Sequence, residues 1–314
     1  MIVRYFERLF FEPKWYDWGV VAILSPLSLI YGGVGLLRRV LSRGKVYPVP
    51  VVSIGNLIVG GSGKSPFLIS LINSLELKSK KVFVISRGYK RESSELVVVS
   101  ENGKILSTPK EGGDEPFLIA NSIKNISVIV SKNRHPAIEK ALSLGAEAIF
   151  LDDGFGRVDI KKFDILLEPE VVKNYFTFPA GGFREFYFSK VFANLALKEG
   201  RDFYREVTIK NPKPEMALAT AIANPKRLES WLDERVVERL YLSDHSWFDE
   251  SELKELLRMS GADSILTTRK DLVKMEGFDI PISLMELEIK IEPWVLERVE
   301  KYLKDFDAKK YRDS

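Results

Sequence analysis

In Gly60-Gly61-Ser62-Gly63-Lys64-Ser65, residue type and spacing together imply the binding of a phosphate chain. Glycines clear the way for backbone N–H groups to approach phosphate oxygens, Lys64 supplies charge for the β- and γ-phosphates, and the Ser65 hydroxyl is a ligand for Mg²⁺. The bland alternative is an incidental glycine-rich turn. Context argues against it: residues 51–54 are a β-branched run and 66–75 carry a helical pattern, so the loop lies between a strand and a helix N-terminus. The usual pattern has an earlier glycine where this chain has Ile58, so Gly55 and Gly60 are expected to supply the flexibility.

Asp152-Asp153-Gly154 follows the apolar run Ala148-Ile149-Phe150-Leu151, which puts two carboxylates at a strand end, where a phosphate-loop fold holds its magnesium. A cation offsets their mutual repulsion. Asp-Asp-Gly is also a common turn, and it is the upstream phosphate loop that favours the metal reading.

These residues need a sheet to position them. Further short apolar runs at 81–85, 127–130 and 164–167 alternate with helical stretches at 115–121 and 137–144, which predicts a parallel α/β sheet with crossover helices. Residues 96–99 and 105–107 read as an inserted hairpin turning at Glu101-Asn102-Gly103. The charged patch at 198–202 and the prolines Pro212 and Pro214 mark a junction. Beyond it come expected strands at 216–221, 239–242 and 264–267, helices at 225–232 and 250–259, and a closing helix at 293–304. The expected divisions are a helical segment at 1–47 belonging to the first domain, a core at 48–202, an extended linker at 203–214 and a smaller α/β domain at 215–314.

With 314 residues, 45% hydrophobic and 29% charged, the chain has the composition of a globular two-domain protein, and a net charge of +3 is too mild to imply nucleic acid as a partner. The absence of cysteine excludes disulfides, thiolate metal sites and a thiol nucleophile. No charge occurs from Trp18 to Leu37, and Arg38, Arg39, Arg43 and Lys45 follow directly. About 20 apolar residues suffice to span a bilayer, but Pro26 and the glycines at 32, 33 and 35 make a broken interfacial helix the better expectation. Its basic flank suits anionic headgroups, and Trp15, Tyr16, Trp18 and Tyr31 suit the headgroup zone. A buried helical hairpin is the alternative. Glu7, Glu12 and Asp17 ahead of the run argue against a cleaved signal.

Several blocks then occur in one order: Ser53-Ile54-Gly55-Asn56 leading into the phosphate loop, Ser86-Arg87-Gly88-Tyr89, Gly113-Asp114-Glu115-Pro116 and Leu151-Asp152-Asp153-Gly154-Phe155. Pro179-Ala180-Gly181 with Arg184-Glu185, Asn224-Pro225, Asp244-His245 and Thr267-Thr268-Arg269-Lys270-Asp271 complete the set. In these blocks the chain resembles the tetraacyldisaccharide 4'-kinases, the lipid A kinases. The resemblance implies transfer of the ATP γ-phosphate, with Mg²⁺, to the 4'-hydroxyl of a tetraacyldisaccharide 1-phosphate. It also implies a P-loop NTPase-like three-layer α/β/α core, a second smaller α/β domain joined through a two-stranded linker, and a membrane-associated N-terminal helical segment. The expected setting is the cytoplasmic face of a bacterial inner membrane, with a glycolipid substrate and a monomeric, peripheral protein. The chain departs from the family at Gly156-Arg157, where Gln-His is usual, so a polar pair beside the metal is missing.

A sugar hydroxyl is a weak nucleophile near neutral pH and benefits from a positioned base. The resemblance gives that role to His245 with Asp114 as partner, beside Lys64; helix capping is the competing reading for Asp114. It places Arg87, Tyr89 and Arg184 at the sugar or its 1-phosphate and Glu185 with Asp152, Asp153 and Ser65 around Mg²⁺. Arg134 is a candidate for phosphate or an anionic headgroup, with surface solvation as its alternative, and His135 reads as structural. A partitioning-type, membrane-associated P-loop ATPase is the rival function; its deviant loop carries a lysine before the paired glycines, where this chain has Val59.

Overall fold

The computed structural model describes residues 2–59, 63–75, 77, 80–89, 91, 93, 95–169, 172–222, 225–243 and 246–308, with backbone alone for 2–4, 7, 226 and 227. Its first part runs α1 (Ile2–Phe11), α2 (Trp18–Leu41), β1 (Val51–Gly55), α3 (Lys64–Ser74), β2 (Val82–Ser86), β3 (Val97–Glu101), β4 (Lys104–Ile105), α4 (Pro109–Gly112), α5 (Asp114–Ser122), β5 (Ser127–Val130), α6 (Arg134–Ser143), β6 (Ala148–Asp152), β7 (Phe163–Leu167) and β8 (Leu195–Leu197). The rest comprises β9 (Phe203–Lys210), β10 (Met216–Thr220), β11 (Val236–Tyr241), α7 (Glu250–Ser260), β12 (Ser264–Thr268), α8 (Arg269–Leu272), β13 (Ile282–Ile291) and α9 (Pro293–Asp305).

Among the described residues the larger sheet has eight strands in the order β4-β3-β5-β2-β6-β1-β7-β8, parallel from β5 to β8 with the β3–β4 hairpin antiparallel at one edge. Strands β1, β2, β5, β6 and β7 are buried at every position, as their unbroken apolar runs require for a sheet covered on both faces. Val52, Ile54 and Phe150 face α3, α5 and α9, while Val51, Ile149 and Leu151 face Ala137, Ile138 and Ala141 of α6. This is the three-layer core. Since β1 lies between β6 and β7, with Ile54 opposite Asp152, the end of β6 opens beside the start of the phosphate loop.

The smaller sheet runs β11-β10-β12-β13-β9, parallel except for β9. Residues 203–210, expected within an extended linker, form β9 and pair along their length with β13, a ten-residue strand that the sequence reading lacks. Two further differences concern helices. Residues Pro225–Trp231 form 3-10 turns rather than an α-helix. The closing helix α9, assigned to the smaller domain, packs instead in the core of the larger sheet, and Tyr302 donates to the Val51 carbonyl at 3.2 Å.

At the N-terminus α2 is unbroken through Pro26, contrary to the broken helix expected. Proline cannot donate to the carbonyl four residues back, and here the Ser25 hydroxyl takes that acceptor, Ala22 O, at 2.8 Å. The helix is long and apolar enough to cross a membrane, and most of it is exposed. Only Val21, Ser28 and Gly32 are buried on it.

Candidate active site

The turn from β1 into α3 is built for close approach. Gly63, in left-handed conformation at φ 72°, precedes α3, and a Cβ there would stand 2.7 Å from Nη2 of Arg205 on β9. Lys64 opens the helix, and Ser65 in its first turn is buried. Gly60, Gly61 and Ser62 lie outside the described residues. Gly55 serves packing rather than flexibility, since a Cβ on it would meet Phe155 Cβ at 2.4 Å. Ile58, standing where a glycine is usual, bridges to Phe183 and joins the Leu57–Phe155–Phe183 cluster.

Lys64 Nζ lies 3.2 Å from Asn56 Oδ1 and 3.5 Å from Asp153 Oδ1. Arg184 Nη1 pairs with the same aspartate at 2.9 Å. Burial works against the charge of Asp153, but Lys64 and Arg184 outweigh it and hold the carboxyl below its usual range. Asp152 differs. It is 4% exposed, accepts from Ser86 Oγ at 2.9 Å through Oδ2, and has no hydrogen-bond partner for Oδ1 among the described residues. Burial first, then the field of Glu115, pushes it up to about 6, against the pull of Lys64.

A buried carboxylate oxygen without a donor, one residue from a carboxylate already held by two cations and beside the α3 N-terminus, is a donor set that fits a divalent cation. Ser65, Asp152 and Asp153 are the residues that would hold it. Among the described residues no three His, Asp or Glu side chains are grouped so as to hold a metal by themselves. Glu185, expected in that set, has both its oxygens engaged by Arg39 of α2, at 2.7 and 2.8 Å. The sequence also passed over Glu115 as a functional group. Its place in the first turn of α5 brings its charge to bear on Asp152.

Arg134 is not a surface ligand for anions. It is 3% exposed, donates to Ser131 O at 2.6 Å and Asp152 O at 2.9 Å, and burial pushes it down to about 10. His135 is bridged by Tyr47 Oη at 2.6 Å and Asp159 Oδ2 at 2.8 Å, a structural role. Arg157, in the position of the missing polar pair, also binds Asp159, at 2.6 Å.

Asp114 is the first residue of α5 and half-buried; Gly113, at φ 91°, occupies the N-cap, so the capping alternative falls. Gly113 abuts Gly88 and the Tyr89 carbonyl, which sets the α5 N-terminus beside the loop bearing Arg87 and Tyr89, both exposed. Asp244 and His245 lie outside the described residues, as does Asn224. Their flanks leave the ends of β10 and β11: Leu242 N donates to Thr220 O at 2.9 Å, and Phe248 is buried against Ala221 and Met275. Helix α8 of the same edge packs against α5, so the smaller sheet meets the element that carries Asp114. Arg205 at Gly63 was likewise invisible in sequence, because nothing local to β9 signals its approach to the phosphate loop.

The family model for tetraacyldisaccharide-1-P 4'-kinase, LpxK, matches residues 20–203 and 188–305. The tetraacyldisaccharide 4'-kinase of Helicobacter pylori strain ATCC 700392 / 26695 is 42% identical over 300 residues, 95% of each chain. That of Campylobacter jejuni strain RM1221 is 37% identical over 303 residues, 96% of each. The crystal structure of LpxK from Aquifex aeolicus in complex with ATP aligns with TM-score 0.74 at 27% identity, covering 90% of this chain and 99% of that one. On this match along nearly its whole length, the chain belongs to the tetraacyldisaccharide 4'-kinase family.

Proposed function

We infer that the chain is an ATP-dependent kinase that phosphorylates the 4'-hydroxyl of a tetraacyldisaccharide 1-phosphate, a step of lipid A biosynthesis. Family membership and an ATP-complexed structural neighbour support the donor and the acceptor. The observation on this chain that carries the reading is the buried Oδ1 of Asp152, without a donor among the described residues, at the strand end beside the phosphate loop.

The residues divide the work as follows. Gly60, Gly61, Ser62 and Gly63 offer backbone donors to the phosphates, and Lys64 neutralises charge that builds up during transfer. Ser65, Asp152 and Asp153 hold Mg²⁺, which when bound screens the phosphate oxygens and aligns them for attack. Asp114 and His245 orient the sugar hydroxyl and take its proton. Arg87, Tyr89 and Arg184 bind the sugar or its anomeric phosphate; Arg184 reaches both the exposed edge and Asp153. Arg134 positions Asp152 from behind.

The two sheets form two lobes, the first ending near 202 and reclaiming α9, with the β9–β13 ribbon between them. The exposed face of α2 seats the first lobe on the cytoplasmic face of the inner membrane. The reading takes the protein to act as a monomer.

The test is incubation of the purified protein with ATP, Mg²⁺ and a detergent-dispersed acceptor, with mass-spectrometric location of the new phosphate. Acceptor-dependent ATP consumption with phosphate on the 4'-position is expected. Consumption stimulated by bare lipid alone would transfer the protein to the partitioning ATPases.

A further inference from the structure

Arg184, Glu185 and Phe186 are consecutive, and each reaches a different partner. Arg184 pairs with Asp153 at the strand end at 2.9 Å, and Glu185 is clasped by Arg39 of α2 at 2.7 and 2.8 Å. The Phe186 ring lies against Gly32, where a Cβ would stand 2.5 Å from its Cζ. The flanking chain follows the same helix. Thr177 exchanges hydrogen bonds with Ser28, Phe178 stacks edge-on at 5.9 Å to Tyr31, and Phe192, ending the 3-10 turn Tyr187–Phe192, lies 5.8 Å from the Arg39 guanidinium.

This segment leaves Tyr175, Phe178, Phe188, Val191 and Phe192 exposed, Val191 at 73%. Alongside them α2 exposes Ile23, Leu27, Ile30, Val34 and Leu37, and the Tyr31–Phe178 ring contact joins the two elements. Apolar exposure on two elements packed together is more than scattered exposure, and the residues around it state what covers it. Trp15, 85% exposed, stands at the N-terminal end of α2, and the exposed cations Arg38, Arg43 and Lys45 stand at the other, the arrangement suited to a headgroup layer carrying negative charge.

We propose that the 175–192 segment is a second bilayer-contacting element, seated with α2 on an anionic lipid surface, and that Arg184-Glu185-Phe186 ties this surface to the edge of the phosphate site. The proposal rests on the membrane-surface reading of α2. It gives the acceptor a short route: a lipid whose acyl chains stay in the bilayer meets Arg184 at the rim of the apolar surface, with Asp153 directly behind.

The experiment compares the full-length protein with Phe188→Ser/Val191→Ser, with Leu27→Ser/Ile30→Ser on α2, and with Val191→Trp, by co-sedimentation with phosphatidylglycerol-containing vesicles, thermal melting and gel filtration. The Phe188/Val191 variant should bind vesicles about tenfold more weakly while melting like the parent and phosphorylating detergent-dispersed acceptor normally. Val191→Trp should bind more tightly, a gain that misfolding cannot mimic. Unchanged binding of the Phe188/Val191 variant, with binding lost on α2 substitution, overturns the second element and leaves α2; unchanged binding in both removes the membrane reading as well. An altered oligomeric mass with vesicle binding intact overturns the proposal in favour of a second copy of the chain.

Discussion

Nη2 of Arg134 donates to the main-chain oxygen of Asp152 across 2.9 Å, so a guanidinium 3% exposed supports the end of β6 from behind. Replacement by methionine would leave two carbonyls, Ser131 O and Asp152 O, without this donor and should cost about 2 kcal/mol of stability. Thermal denaturation checks the loss. An unchanged melting point with a raised acceptor KM would return Arg134 to substrate binding.

Asp152 makes the stability of the ligand-free protein depend on pH. Its carboxyl rises from an ordinary 3.8 to about 6, so between these values the folded chain holds a proton that the unfolded chain has lost, and stability falls as pH rises through that window. The rise corresponds to roughly 3 kcal/mol of destabilisation above pH 6. Asp152→Asn should therefore raise the melting temperature at pH 8, leave it unchanged near pH 4, and abolish Mg²⁺-dependent turnover. Equal melting temperatures at pH 8 would show that the site is not strained in this way.

The Arg39–Glu185 pair joins residues 146 apart in sequence and is nearly dry, with side chains 6% and 7% exposed. Removing one partner strands a buried charge. Arg39→Met alone should cost about 3–5 kcal/mol, and Arg39→Met/Glu185→Leu should recover most of it. The comparison is made by denaturant unfolding in detergent. A double variant no more stable than the single one would mean that Glu185 holds something besides Arg39.

What was legible in the sequence follows from burial. Strands covered on both faces, such as β1 and β6, read as unbroken apolar runs, so the phosphate loop and Asp152-Asp153 fell at strand ends as predicted. The β9–β13 ribbon alternates buried and open positions and carries charge throughout, so β9 reads as a linker and β13 gives no strand signal. Arg134 reads in sequence as an anion ligand and Glu185 as a metal ligand because their partners, a strand-end carbonyl and a distant arginine, exist only after folding. The same holds for Arg205 against Gly63 and for α9 returning to the first core.

If Asp114 and His245 share the proton of the acceptor hydroxyl, alanine at either should lower kcat by about 10²- to 10⁴-fold with ATP binding retained. The two effects should not add, because each residue works through the other. Single-turnover kinetics with isothermal titration of nucleotide separates the cases. Near-normal turnover in both variants would remove the dyad.

The last block of the sequence, Thr267 to Asp271, finds its use at the edge of the smaller sheet. Asp271 is fully buried, accepts from Thr220 Oγ1 at 2.7 Å, Thr268 Oγ1 at 2.9 Å and Ala221 N at 3.2 Å, and lies 3.3 Å from the buried Nζ of Lys274. It thus fastens the end of β10, β12 and α8 together, beneath the strand ends from which the Asp244-His245 segment leaves. The pair is asymmetric: without Lys274 the carboxylate keeps three donors, whereas among the described residues the ammonium's contacts are Asp271 and, at 6.0 Å, the Phe248 ring. Asp271→Asn should therefore destabilise by about 3–5 kcal/mol, and Lys274→Met by clearly less. Urea unfolding of the two variants decides it, and the reverse order would mean that Lys274, not Asp271, holds this edge together.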